Sequence, residues 1–370
     1  MRKLRLRWIW VWFAVGVVLV AQSTVARMTD ELPTTHPAKK YHFVAADDGS
    51  EWAKTPWGRL GVAKLATAPF PDDSRTSGFV SKRGVFPYEG HYDDNRVAMA
   101  VPTQILEIAS QTGARRGEAG REPLPQLDLI VHFHGHFNEC LRAVEEFHLG
   151  EQLRDSDRLA ILVVPQGPKY APDNGGGKLE KEGAFAAFVA EVMDVIRRNE
   201  ICGSKTTRLG RIILSGHSGA YRVMANILDH GGAWDQIAEV WLFDAAYGFF
   251  DELALPATFP EPPKKRLRSI FTDHLATENV QIMSRLCLAG EKLMVVHDEG
   301  LTTAGTYLTE LQRRNASDRW ASVGAEALDL ILRQEPYVFI YTNLGHNELL
   351  FQRRYFERFA RSTPNLRPAK

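Results

Sequence analysis

This chain of 370 residues lacks several features that would fix its class at a glance. It holds only three cysteines, Cys140, Cys202 and Cys287, and an odd number so small permits at most one internal disulfide. A disulfide scaffold is excluded. The pair to consider is Cys202 with Cys287, and Cys140 reads as a buried free thiol. Excess charge of one sign is also missing: 45 basic and 45 acidic side chains cancel, which leaves no electrostatic footprint for nucleic acid or for acidic surfaces. There is no internal repeat. The glycine-rich stretch from Tyr170 to Lys178 is no phosphate loop, because Lys178 is followed by Leu179 where such a loop needs Ser or Thr; it reads as a mobile loop at the edge of the sheet.

A comfortable membrane span is absent too, since the apolar run Trp8 to Val20 falls short of about 20 residues. What precedes and follows that run gives it a different meaning. Arg2, Lys3, Arg5 and Arg7 form a basic lead, and Ala21-Gln22-Ser23 or Thr24-Val25-Ala26 offers small residues for cleavage. Residues 1–26 are therefore expected to be a targeting segment, with export to the periplasm or the extracellular space. The alternative is an uncleaved anchor over residues 8–26, which would associate the protein with a membrane. No cysteine comes just after the apolar core, so a lipid-anchored lipoprotein is not expected. Residues 27–60, polar and carrying Pro33 and Pro37, read as a tether or wrapped arm, and residues 61–370 as the main domain.

With 44% hydrophobic residues the chain has ample material for one large core. Val62 to Phe70, Arg96 to Val101 and Leu159 to Pro165 have strand character, Asn138 to Gln152 reads as a helix, and Gly183 to Arg198 is strongly amphipathic. Strands and helices go on alternating beyond Tyr221 to His230, which is the pattern of a parallel sheet with crossover helices. The basic run Lys264 to Arg268 reads as a solvated loop. Phe249 to Pro263, with five large apolar side chains, reads either as a small cap or as an ordinary packed connection.

Chemistry concentrates at three strand ends. Arg211 to Ser215 is an apolar-ending run that feeds into Gly216-His217-Ser218-Gly219-Ala220 and then a helix-compatible stretch, which sets Ser218 at the tip of a sharp strand-to-helix turn. A hydroxyl presented in that way is a candidate nucleophile. Leu127 to Phe133 leads into His134-Gly135-His136, and Tyr337 to Thr342 leads towards Gly345-His346-Asn347. An imidazole on a loop after the last strand can take the proton of a serine, so His346 is the candidate general base. For the acid, Asp244 closes the strand Glu239 to Phe243 and comes first; Asp298 and Asp273 end two other strands and stay open.

With these motifs in this order, the chain resembles the α/β-hydrolase superfamily over about residues 95 to 360: Gly216 to Ala220 looks like its nucleophile elbow, His134 to His136 its oxyanion loop, and Gly345-His346 its C-terminal histidine. The elbow ends in Ala220 where the usual pattern has glycine. The resemblance implies an α/β fold with a mostly parallel eight-stranded sheet and helices on both faces. It also implies an oxyanion hole made by the backbone N–H groups of Gly219 and His136. The activity implied is that of a serine hydrolase working through an acyl-enzyme on Ser218, with His346 and Asp244 completing a triad. A carboxylesterase or lipase-like enzyme is expected, with a small-molecule or lipid-like ester as its partner, no nucleic acid, and neither metal nor organic cofactor.

Two other readings compete. His132, His134 and His136 alternate along one segment, a spacing that puts three imidazoles on one face of a strand, as in metallohydrolases. No His-x-His-x-Asp-His continuation follows them. The other rival is a non-catalytic binding module on the same fold, but such modules usually lack a triad member and here Ser218, His346 and several acids are all present.

Overall fold

The computed structural model describes residues 40–113, 124–259, 265–298, 321, 322 and 324–369. Residues 1–26, expected to be a targeting segment, and residues 27–39 of the polar lead lie outside them. Among the described residues no helix is long and apolar enough to cross a membrane.

In chain order the strands are β1 (Val44–Ala45), β2 (Glu51–Thr55), β3 (Gly58–Lys64), β4 (Phe79–Ser81), β5 (Gly84–Phe86), β6 (Arg96–Pro102) and β7 (Gln126–Phe133). They continue with β8 (Ala160–Pro165), β9 (Arg208–His217), β10 (Ile237–Phe243), β11 (Arg266–Phe271), β12 (Met294–His297), β13 (Ala321–Ser322) and β14 (Tyr337–Tyr341). Seven helices matter below: α1 (Thr103–Gly113), α2 (Cys140–Glu146), α3 (Leu149–Asp155), α4 (Ala184–Arg198), α5 (Tyr221–His230), α6 (Phe250–Thr258) and α7 (Ala276–Leu288).

The main sheet has twelve strands in the order β1-β2-β3-β6-β8-β7-β9-β10-β11-β14-β12-β13, where eight were expected. From β8 to β13 every neighbouring pair runs parallel, while β1, β2, β3 and β6 pair antiparallel at the other side. The additional strands come in part from the lead segment. Within residues 44–60, expected to be a tether, lie β1, β2 and the start of β3, because Trp52, Ala53, Trp57 and Leu60 are buried and anchor the β2–β3 hairpin. A domain boundary at residue 61 therefore cuts through β3, and the folded unit begins earlier.

Alternation along the strands sorts side chains onto two faces. On β7, Leu127, Leu129, Val131 and Phe133 join a core with α1, α4, α5, α6 and α7, whereas Ile130 joins a second core with α2, α3 and the helix Tyr355–Ser362. This is a three-layer α/β arrangement with helices on both faces. The stretch Asn138 to Gln152 is two helices, not one, because His148 takes a left-handed φ of 52° between them.

Two further readings change. The run Lys264 to Arg268 is not a solvated loop over its described part. Lys265 donates to the carbonyls of Trp234 and Ile237, at 2.6 and 2.7 Å, and Arg268, 0% exposed on β11, pairs with the equally buried Glu239 of β10. Cys140 and Cys202 are free thiols, so no Cys202–Cys287 disulfide forms, and burial pushes both thiols up to about 12. Within the Phe249 to Pro263 stretch, α6 buries Leu253, Ala254 and Ala257, which makes its described part a packed connection.

Candidate active site

The elbow serine is held in an unusual backbone state by the tight packing of its neighbours. Ser218 has φ 55°, a left-handed value that costs a non-glycine residue on the order of 1 kcal/mol or more. It ends β9 and opens a single turn, Ser218–Ala220, that runs directly into α5. Gly216 is required there. A Cβ on it would lie 2.3 Å from Met224 Sδ and 2.7 Å from the Cβ of Ala220, so the absence of a side chain at 216 is what leaves room for alanine at 220. The loop after β7 closes on the elbow with equal tightness, since a Cβ on Gly135 would meet Ser218 Cβ at 2.8 Å.

Asp244 follows β10, the strand next to β9, and it too is left-handed, with φ 47°. Its carboxylate is fully buried and accepts from Thr272 N–H at 2.9 Å and from the Thr272 hydroxyl at 3.0 Å. Its Oδ2 also accepts from His346 Nδ1 at 2.6 Å. A carboxylate on Nδ1 fixes the tautomer that leaves Nε2 able to accept a proton. The rival acids are engaged elsewhere: Asp298 with Thr342 and Arg353, and Asp273 with the Tyr341 hydroxyl at 2.9 Å.

His346 is set beside the elbow by a residue that motif reading passed over. His217, immediately before Ser218, donates from Nε2 to the His346 carbonyl at 3.0 Å, and the two imidazoles lie 4.7 Å apart, tilted by 35°. His217 is buried against Phe147, its Nδ1 has no hydrogen-bond partner among the described residues, and burial holds its pKa well below the ordinary histidine value. It is a neutral ring. A histidine in the middle of the elbow motif was visible in the sequence, but nothing local to it pointed at residue 346.

The three strand-alternating histidines do not converge. His132 Nδ1 contacts the Ser215 hydroxyl at 2.8 Å between Phe243 and Phe356, and burial lowers its pKa to about 3. His134 Nδ1 donates to the Gly135 carbonyl at 2.8 Å, while its Nε2 accepts from Gly167 N–H at 3.0 Å. His136 Nε2 is bonded to Asn174 Oδ1, and the Asn174 amide reaches Tyr221 Oη at 3.2 Å. Among the described residues no group of three His, Cys, Asp or Glu side chains is arranged to hold a metal.

Asn174 also gives the glycine-rich loop its position. The pair Asn174 and His136 sits over Gly219, so both residues expected to supply oxyanion donors lie at one spot beside Ser218. Around them stand Tyr221, Tyr247 and Phe249, with the Tyr221 ring 5.7 and 6.1 Å from the other two. Burial pushes the Tyr247 phenol up to about 12, with the Asp244 charge adding to the rise and the Ser218 hydroxyl opposing it.

No protein-family model and no curated protein matches this chain. Among solved structures it is similar to an S-formylglutathione hydrolase from Agrobacterium tumefaciens, at 9% identity over 86% of this chain and 98% of that one, with a TM-score of 0.34. It is also similar to a hyperthermophilic esterase from the archaeon Pyrobaculum calidifontis, at 11% identity over 82% of each chain and a TM-score of 0.37. A ferulic acid esterase matches at 10% identity over 53% of this chain and 81% of that one, with a TM-score of 0.33. At such identities the chemistry has to be read from the chain's own side chains. These bring the serine, the acid and the histidine named from the sequence to the C-terminal ends of parallel strands in one sheet.

Proposed function

We propose that this chain is a serine hydrolase of the α/β-hydrolase superfamily that cleaves carboxylic esters through an acyl-enzyme. The observation that carries the reading is the 2.6 Å contact of His346 Nδ1 with the buried Asp244, on a histidine tied at 3.0 Å to the residue preceding Ser218. In the reaction, Ser218 Oγ attacks the ester carbonyl carbon while His346 Nε2 takes its proton. The alcohol then leaves with that proton, and a water activated by the same imidazole releases the acid. Asp244 stays ionised and steadies the imidazolium. The backbone N–H groups of Gly219 and His136 hold the oxyanion, and losing one such donor costs about 3 kcal/mol of transition-state stabilisation.

The N-terminal residues 1–26 direct the protein out of the cytoplasm in this reading, either by cleavage or by retention as an anchor. The Ser218→Ala variant tests the chemical part. On a panel of short-chain esters, kcat should fall by about 10⁶ with the fold intact. Activity within about tenfold of the native protein would contradict the assignment, and a native protein inactive on every ester and amide yet binding a partner would favour a non-catalytic module.

A further inference from the structure

The hairpin of β4 and β5 stands apart from the main sheet. Phe79 and Phe86 fasten it to a satellite cluster of Phe70, Tyr92 and Ala171, and Phe86 meets Phe137 edge-on with centroids 5.9 Å apart. Phe137 directly follows His136, takes a left-handed φ of 55°, and donates its N–H to the Ala171 carbonyl at 3.2 Å. The hairpin therefore packs as one wall with the loop after β7 that carries His136. At the hairpin tip, closed by Arg83 N–H donating to Ser81 Oγ at 3.1 Å, the Arg83 guanidinium lies 5.2 Å from the centre of the Phe137 ring. Its charge reaches the oxyanion loop: burial lowers the His136 pKa, and Arg83 lowers it further.

Of the other cations near this wall Arg75, Arg96 and Lys169 are neutralised, while Lys82, exposed beside Arg83 in the turn, rests on no aromatic ring among the described residues. Arg75 pairs with Asp173 at 2.8 Å, and Arg96 and Lys169 share Asp94 at 2.6 and 3.1 Å. Arg83, exposed, has an aromatic ring and no carboxylate partner among the described residues. A guanidinium resting on a ring face keeps its fork of N–H donors turned to whatever approaches, and that fork matches a carboxylate in two parallel hydrogen bonds.

We infer that Arg83 is the charge-reading residue of this site, and that the ester taken by Ser218 carries a second, ionised carboxylate which the hairpin guanidinium holds. The inference rests on the hydrolase reading above and names the substrate class for it. The carboxylate belongs either to the acyl half or to the alcohol half, and two ester pairs separate these cases. One pair is para-nitrophenyl hemisuccinate against para-nitrophenyl pentanoate. The other is the acetate of meta-hydroxybenzoate against meta-cresyl acetate.

In at least one pair the native protein should favour the anionic ester about tenfold in kcat/KM, and Arg83→Gln should bring that ratio close to one. Removing a matched charge at Lys54, exposed on β2, should leave the ratio in place, and added salt should shrink it. Absence of preference in both pairs, or a preference that survives Arg83→Gln, overturns the inference. Labelling of Ser218 by a neutral fluorophosphonate separates the two levels. Labelling without charge discrimination defeats the role of Arg83 alone, and no labelling defeats the hydrolase reading and this inference with it.

Discussion

Ser218 and Asp244 share a property that composition cannot reveal: each is a non-glycine residue forced into left-handed backbone at the end of adjacent strands. Strain of this kind persists only where the surroundings dictate it, here through the elbow packing and the two Thr272 donors. Asp244→Asn should therefore lower kcat by about 10⁴, because an amide favours the wrong imidazole tautomer. Asp298→Asn should cost less than about tenfold, since Asp298 serves Arg353 and Thr342. Steady-state kinetics on folded variants checks both. A deep loss at Asp298 with Asp244→Asn still active would transfer the acid to the later strand. His217 makes a separate prediction. His217→Phe keeps the ring contact but removes the donor to the His346 carbonyl, so kcat should fall by about ten- to a hundredfold while KM holds, and His217→Gln should recover part of the loss. Equal changes in kcat and KM, or no recovery by glutamine, would make His217 a packing residue only.

At the scale of elements, the buried Glu239–Arg268 pair joins β10 to β11, with Thr363 and Trp241 also donating to the same carboxylate. Arg268→Ala leaves the buried Glu239 with the more distant Arg266, at 3.7 Å, as its counter-charge and is expected to destabilise the fold by about 3 kcal/mol, read from urea denaturation. A change below about 1 kcal/mol would show the pair to be dispensable. This element also explains where sequence reading stopped short. A run of four basic residues looks like a solvated loop, and only the partner strand shows that Arg268 faces a glutamate in the core. The β2–β3 hairpin was hidden in the same way, its tryptophans sparse among polar neighbours. The break at His148 needed knowledge of Gln152, whose side-chain amide donates to the Phe147 and Leu350 carbonyls at 2.7 and 2.8 Å. By contrast the parallel strands and α4 were plain, because unbroken apolar runs and a helical apolar stripe are local signals. The elbow was legible for the same reason. The choice among Asp244, Asp298 and Asp273 was not, since three strands end in aspartate and β14 neighbours the strands of the other two; only the folded contact, reaching past β11 to the end of β10, says which one meets His346.

Over the whole molecule, buried neutral histidines tie stability to pH. His132, His134 and His217 are all held below the ordinary histidine value by burial, His132 at about 3. Below the unfolded value of about 6.5 the unfolded chain takes up protons that the native state refuses. Stability therefore falls as pH falls, by about 1.4 kcal/mol per pH unit for each such histidine, until its folded pKa is reached. Denaturation midpoints should drop steadily from about pH 7 to about pH 5, and His132→Gln should make the slope shallower by roughly one proton. A midpoint that stays flat across that range would mean these rings charge without cost in the fold.

The account's central claim is that Ser218 is a nucleophile activated by its neighbours, and its most direct measurement is the mass of the protein after reaction with a fluorophosphonate. One adduct per chain is expected, mapped by peptide sequencing to Ser218, with labelling that slows sharply in His346→Ala and is lost in Ser218→Ala. An unlabelled native protein, or an adduct on another residue that persists in Ser218→Ala, would contradict it.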